Sequence, residues 1–211
     1  MLHENEKLDD LLENELHIIR RSDVFAYGSD AIALAAFVSL SKKDIVLDIG
    51  TGTGILAILL CGRYDASFTA IEIDREMADM ARRSVKLNSQ EDKITVIEGD
   101  VRNMHKELGY ESYSVIVCNP PYFSGGTKSE NEISRNSRHD DTLNMDELAY
   151  SASRLLKNGG KLFLVYPSSR FAVCCASLVN NGIMPKRIKL IGERVLVEAK
   201  KGGKEGLNWE L

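Results

Sequence analysis

A chain of 211 residues, 44% of them hydrophobic, with a formal net charge of −4, has the size of one globular domain with a substantial core. The acidic total disfavours strong non-specific binding to nucleic acid, and no apolar run approaches the roughly 20 residues that a membrane helix needs. The opening MLHENEKLDD is too acidic and polar for a signal peptide. Cys61, Cys118, Cys174 and Cys175 show no CxxC spacing and sit among apolar residues. They read as reduced core side chains, which fits a cytoplasmic location. His3, His17, His105 and His139 are scattered, so no metal site is expected. Residues 1–100 carry 11 Lys+Arg against 19 Asp+Glu, and residues 101–211 carry 16 against 12. The basic second half leaves room for a local patch, with ordinary surface charge as the alternative.

In chain order, LDDLLENEL (8–16) reads as a short helix, and LHIIRR with VFAY (16–27) as a small hairpin. Ser29-Asp30 caps an apolar helix over 31–40. DIVLDIG (44–50) is a buried strand, followed by a glycine loop and a helix over 55–64. Strands are expected at 67–74, 93–100 and 112–119, with a helix at 75–89 whose Met77, Met80, Ala81 and Val85 share one face. A helix at 145–160 ends on a Gly cap, and a strand follows at 161–167. A helix at 169–182 and two strands at 185–191 and 194–200 close the pattern, with LNWEL starting a further extended piece. Continuously apolar strands alternating with helices predict an α/β fold: a mostly parallel, seven-stranded sheet with helices on both faces. The last two strands, lacking a helix between them, pair antiparallel at one edge. The organisation expected is one domain over 1–211, with a hairpin and helix extension at 1–40. Residues 123–143, polar and rich in Gly, Ser and Asn, form a loop too long for an ordinary connection, which predicts a mobile substrate loop.

Asp48, Gly50, Thr51, Gly52 and Gly54 span the end of the first buried strand and the start of a helix. Glycines there let a ligand approach the backbone, and ligands of open α/β sheets bind at the strand carboxyl ends. The spacing departs from the G-x-G-x-x-G dinucleotide fingerprint. Asp48 repels a phosphate but suits a cationic ligand, which favours a sulfonium or amine-bearing cofactor over NAD. Glu72 ends the second strand and can accept from both hydroxyls of a ribose. Ile73 offers an apolar face to a purine, and Asp100, ending the third strand, an acceptor for an adenine amino group. Each acid is alternatively a solvated strand-end carboxylate.

The stretch CNPPYF (118–123) interrupts an apolar strand with an amide, two prolines and two aromatics. Prolines do not continue a central strand; they fix the backbone instead. The pattern brings together the Asn119 amide, rigid backbone carbonyls at Pro120 and Pro121, and a flat apolar face at Tyr122 and Phe123. The alternative is a rigid turn with aromatics packed into the core.

Together these residues resemble the class I S-adenosylmethionine-dependent methyltransferases, with DIGTGTG as the cofactor loop. NPPY is similar to the motif of the subgroup that methylates planar nitrogens. That likeness implies an amine whose lone pair is delocalised into a ring. The Asn119 side-chain oxygen and the Pro120 carbonyl would accept from its two N–H bonds and draw the nitrogen towards sp³, with Tyr122 stacking on the base and Phe123 extending that platform. VFAYGSDAIALAAF, NPPYF, RHDDTL and VLVEAKKGG resemble bacterial adenine-N6 methyltransferases acting on a valine tRNA beside the anticodon. The resemblance implies a Rossmann-like fold, S-adenosylmethionine as cofactor, and methylation of N6 of an unpaired adenine in RNA. It places Tyr27, Ser29 and Asp30 at the methionine end of the cofactor and Val101 beside Asp100. Lys128, Arg135, Arg138 and His139 on the long loop are candidates for phosphate contacts, with a solvated loop as the alternative; Lys186, Arg187, Lys189, Lys200, Lys201 and Lys204 extend the basic surface. A guanine-N2 rRNA or protein glutamine-N5 methyltransferase, and a catalytically silent RNA- or cofactor-binding module, are the competing readings.

Overall fold

The computed structural model describes residues 2–11, 15–22, 28–120 and 143–210. Its centre is β3 (Ile45–Ile49), IVLDI, which is buried from Val46 onward. It pairs in parallel with β4 (Ser67–Glu72) on one side and β6 (Tyr113–Cys118) on the other. β5 (Ile94–Glu98) extends the sheet beyond β4, and β7 (Leu156–Pro167) extends it beyond β6. β9 (Arg194–Lys201) runs antiparallel to β7, and β8 (Ile183–Ile191) antiparallel to β9. The resulting order is β10-β8-β9-β7-β6-β3-β4-β5, where β10 (Asn208–Glu210) adds an eighth strand parallel to β8. The antiparallel strand therefore lies inside the sheet rather than at its edge.

Side chains alternate across the sheet. Val46, Val115, Val117, Phe163 and Val165 face one core with α1 (Ser29–Phe37) and α2 (Ile55–Arg63). Leu47, Ile49, Ile116, Leu162 and Leu164 face a second core. α5 (Met145–Leu155) and α6 (Phe171–Asn180) cover that side, with the short α4 (His105–Leu108) adding Leu108. α3 (Arg75–Leu87) starts at an Asp74 cap, whose carboxylate accepts from the Glu76 and Met77 amides. α5 starts at a reciprocal capping box between Asn144 and Glu147. It ends at Leu155, before the expected Gly159-Gly160 cap. Those glycines belong to β7, where a Cβ on Gly160 would lie 3.0 Å from the Ser114 carbonyl of β6 and 2.9 Å from that of Lys157. Close strand approach, not helix termination, explains Gly160.

The amino-terminal segment differs from expectation. Its hairpin is β1 (Glu6–Asp10) against β2 (His17–Arg21), so residues 8–10 are strand rather than the start of a helix. Pairing prevails because α3 completes the hairpin. Ser84 Oγ accepts from the Ile19 amide at 2.9 Å, and Asn88 exchanges hydrogen bonds with the backbone of His17 at 2.9 and 2.7 Å. A side chain of α3 and that of its C-cap residue thus serve the edge of β2 as another strand would. Ile18 and Ile19 are both buried. Arg83 of α3 grips Glu6 with two nitrogens, and this contact holds the Glu6 carboxyl down to about 2.

Candidate active site

The sheet order reverses between β3 and β6, and that switch point is where open α/β sheets bind ligands. Ile49 pairs with Cys118, so the glycine loop after β3 and Asn119 after β6 begin side by side. Asn119 is half-buried and Pro120 buried. Pro121, Tyr122, Phe123, Lys128, Arg135, Arg138, His139 and Tyr27 lie outside the described residues, as does the loop expected at 123–143 except for Leu143.

The loop braces itself. The amides of Gly50 and Thr51 both donate to the Ile71 carbonyl at 2.9 and 3.1 Å, and that of Gly54 to the Thr51 carbonyl at 3.0 Å. The Gly52 amide donates to Glu72 Oε2 at 2.8 Å. With these four amides engaged, the loop is no open nest for a phosphate. Gly52 sits at φ +59° with empty space where a Cβ would point, which leaves its backbone open to a ligand. Gly54 precedes α2 at φ +92°, and its Cβ would touch Ala81 and Ile58 at 3.4 Å. Gly54→Ala is expected to lower stability by about 1–2 kcal/mol through the left-handed backbone, read as a shift of the urea midpoint at unchanged slope.

Beneath the loop, Asp48 is buried and accepts from the Thr51 hydroxyl at 2.6 Å. Burial pushes its carboxyl up to about 7, and the Glu72 carboxylate adds to the rise; the Thr51 hydroxyl and the Ala57 amide oppose it. Glu72 closes the end of β4. Its Oε1 accepts from the Asp74 amide at 3.0 Å, and burial raises its pKa as well. The Gly52, Asp74 and Ile73 amides hold the Glu72 carboxylate, which with about four lone-pair sites keeps some acceptor capacity for a ligand. Ile73 beside it is 45% exposed, an apolar surface at the rim. Two carboxylates, an open glycine backbone and this apolar rim suit a cationic ligand carrying a ribose and a purine.

Asp100 follows β5, with Val101 buried next to it. Burial favours its neutral form, but the Arg102 hydrogen bonds outweigh it and leave the pKa lowered. The Arg102 Nη2 contact is 2.8 Å. Sequence reasoning missed this arginine, which takes up part of the acceptor capacity expected for an adenine. At the start of α1, Ser29 is the first helical residue and Gly28 the cap, without a side-chain cap bond, so Ser29-Asp30 does not cap the helix as expected. Asp30 instead accepts from Arg194 Nε at 2.9 Å.

The chain as a whole is similar to known proteins. The family described as methyltransferase small domain aligns with residues 15–172. The chain belongs to this family. The methyltransferase domain is 34% identical over 144 residues to the tRNA1(Val) (adenine(37)-N6)-methyltransferase of Shewanella sediminis, covering 67% of this chain and 59% of that one. A protein of the same name from Bacteroides fragilis is 33% identical over 167 residues, covering 78% and 69%. The matches thus span 59% and 69% of these curated relatives' lengths. A predicted O-methyltransferase of Agrobacterium tumefaciens superposes with a TM-score of 0.68 at 26% identity, covering 86% of this chain and 85% of that one. A geranyl diphosphate C-methyltransferase from Streptomyces coelicolor, solved with S-adenosyl-L-homocysteine, shares the fold at a TM-score of 0.61 and 13% identity, covering 81% and 79%.

The basic surface expected on the methyltransferase domain's last strands is partly used internally. Arg187 bonds Glu198, Glu210 and the Phe37 carbonyl. Lys186 holds the carbonyls of Lys204 and Gly206, and Lys201 binds Glu111 and the Leu156 carbonyl. Among the described residues no cluster of three His, Cys, Asp or Glu side chains could hold a metal, and no helix is long and apolar enough to cross a membrane.

Proposed function

We propose that the protein transfers a methyl group from S-adenosylmethionine to N6 of an unpaired adenine in RNA, with a tRNA anticodon loop as substrate. The observation that carries this reading is the adjacency of Asn119 and the glycine loop across the β3–β6 switch. The family and the names of the relatives from Shewanella sediminis and Bacteroides fragilis support it. S-adenosylmethionine supplies an electrophilic methyl on a sulfonium. Glu72 holds the ribose hydroxyls, Ile73 and Val101 flank the adenine with Asp100 at its amino group, and Asp48 lends negative charge beneath the loop. The Gly50–Gly54 backbone lets the cofactor approach, and the amino end of α1, with Tyr27, walls its methionine part.

Asn119 Oδ1 and the Pro120 carbonyl would accept hydrogen bonds from the two N–H groups of the target amine and free its lone pair. The N–C bond would form as the methyl–sulfur bond breaks, with that electron pair leaving on the sulfur of S-adenosylhomocysteine. The ammonium formed then loses its proton to solvent. Tyr122 and Phe123 stack on the base, which must already be unpaired or be flipped out. Lys128, Arg135, Arg138 and His139 contact phosphates. This chemistry calls for positioning and fixed dipoles rather than a metal.

Glu72→Ala is expected to weaken cofactor binding by about 10- to 100-fold, the worth of one or two hydrogen bonds to a charged acceptor; isothermal titration measures it. The reading itself is tested by tritium transfer from labelled S-adenosylmethionine to unmodified tRNA, and in parallel to ribosomal RNA and protein, followed by nucleoside and peptide mass spectrometry. N6-methyladenosine supports it. Label in N2-methylguanosine or in a protein amide would replace the substrate, and cofactor binding without transfer to any of these would leave a silent binding module.

A further inference from the structure

Helix α1, the proposed wall of the cofactor's methionine part, is held at both ends by the β8–β9 pair. At its carboxyl end, Arg187 of β8 donates to the Phe37 carbonyl at 2.8 Å, and its guanidinium lies 3.9 Å from the centre of the Phe37 ring. A cation there suits the helix dipole. At its amino end stands a second cation, Arg194, where the dipole disfavours one. Asp30, in the first turn of α1, mediates: its Oδ2 accepts from Arg194 Nε at 2.9 Å, and the two side chains are 24% and 30% exposed.

Arg194 is itself fixed. It opens β9 opposite Pro167, the last residue of β7. The preceding Glu193 carbonyl accepts from the Ser168 amide at 2.9 Å. β7 lies beside β6, whose end carries Asn119. The pair thus fastens the start of α1 to the carboxyl end of β7, the neighbour of the strand that leads into Asn119.

We infer that Arg194 is a positioning residue: through Asp30 it sets the start of α1 as the wall of the cofactor's amino-acid end. This rests on the methyltransferase reading above. Arg187 anchors the same helix at the end away from the site, so the two arginines separate support of the helix from placement of the wall.

The test compares Arg194→Met, Arg194→Lys, Asp30→Asn, the Asp30→Asn/Arg194→Met double variant and Arg187→Met. Read-outs are the S-adenosylmethionine Kd by isothermal titration, the KM and kcat of transfer, and the thermal midpoint. Arg194→Met is expected to raise Kd and KM about tenfold, the worth of a charge-assisted hydrogen bond, with kcat within about twofold. Asp30→Asn should match it, the double variant should be no worse than either single change, and Arg194→Lys should recover part of the loss. Arg187→Met should lower the thermal midpoint with Kd unchanged. Unchanged Kd in Arg194→Met, whatever its thermal midpoint, would overturn the inference alone. A wild-type protein that fails to bind S-adenosylmethionine would overturn the functional reading and this inference with it.

Discussion

Asn119→Ala is expected to lower kcat for methyl transfer by about 10²–10³-fold, the usual cost of removing one preorganised dipole aimed at developing charge. Its effect on the cofactor Kd should stay below about tenfold, roughly 1.4 kcal/mol. The split between the two follows from position. Asn119 stands at the end of β6, one strand over from the glycine loop, with its carboxamide half-buried at the strand mouth. Losing one of the two acceptors on the amine leaves its lone pair conjugated with the ring, which raises the barrier without removing a main anchor of the cofactor. Single-turnover transfer and isothermal titration on the same variant separate the two. Equal loss of binding and rate would move Asn119 from the chemistry to cofactor anchoring, and an unchanged rate would remove the proposed mechanism.

The second large effect concerns Asp48 and pH. Its carboxyl titrates at about 7 in the folded chain against 3.8 unperturbed. A carboxyl that takes up its proton more readily when folded gives stability that is complete below pH 3.8 and lost as pH rises through about 7. At about 1.4 kcal/mol for each pH unit, that interval is worth about 4 kcal/mol as an upper bound. Asp48→Asn keeps an acceptor for Thr51 but carries no charge. In the ligand-free protein it should be more stable than wild type at pH 8, by up to that amount, with a flatter stability curve between pH 5 and 8. Glu72, raised in the same direction, keeps some slope. Cofactor binding should respond in the opposite sense: wild-type affinity for the cationic S-adenosylmethionine should increase as pH rises through 7, and the variant should lose that increase. Urea unfolding and titration at pH 5, 6, 7 and 8 measure both. A variant no more stable than wild type at pH 8 would show that Asp48 is not held at a cost to stability.

Glu6 marks the other end of the scale. Its carboxyl is held at about 2 by Arg83, so its contribution to docking the hairpin is present above pH 4.5 and is lost only as pH falls towards 2. The site and the hairpin therefore respond to pH in opposite directions, and between pH 5 and 8 Glu6 adds no slope.

The sequence by itself determined the alternation of strands and helices, because continuous apolar runs such as SVIV and DIVLDI have few uses except as strands buried on both faces. It also determined the glycine loop, the three strand-end acids and the NPPY motif, whose chemistry depends on residue type and local spacing. It misread what depends on distant partners. LDDLLENEL has helical spacing, yet β1 forms because Ser84, Asn88 and Arg83, far along the chain, receive the hairpin. Gly159-Gly160 has the look of a helix cap, but the helix stops earlier and Gly160 answers to the Ser114 carbonyl of the next strand. Asp30 passes for a capping residue until Arg194, 164 positions away, is brought to it by the antiparallel β9. Only the tertiary structure decided that Gly50 and Asn119 open side by side, that Glu72 ties the loop to its strand, and that part of the positive charge of the last strands, at Arg187, Arg194 and Lys201, is engaged within the fold. Pairing energies between residues distant in sequence are invisible to local pattern, and at this site they set which charges remain available for a ligand.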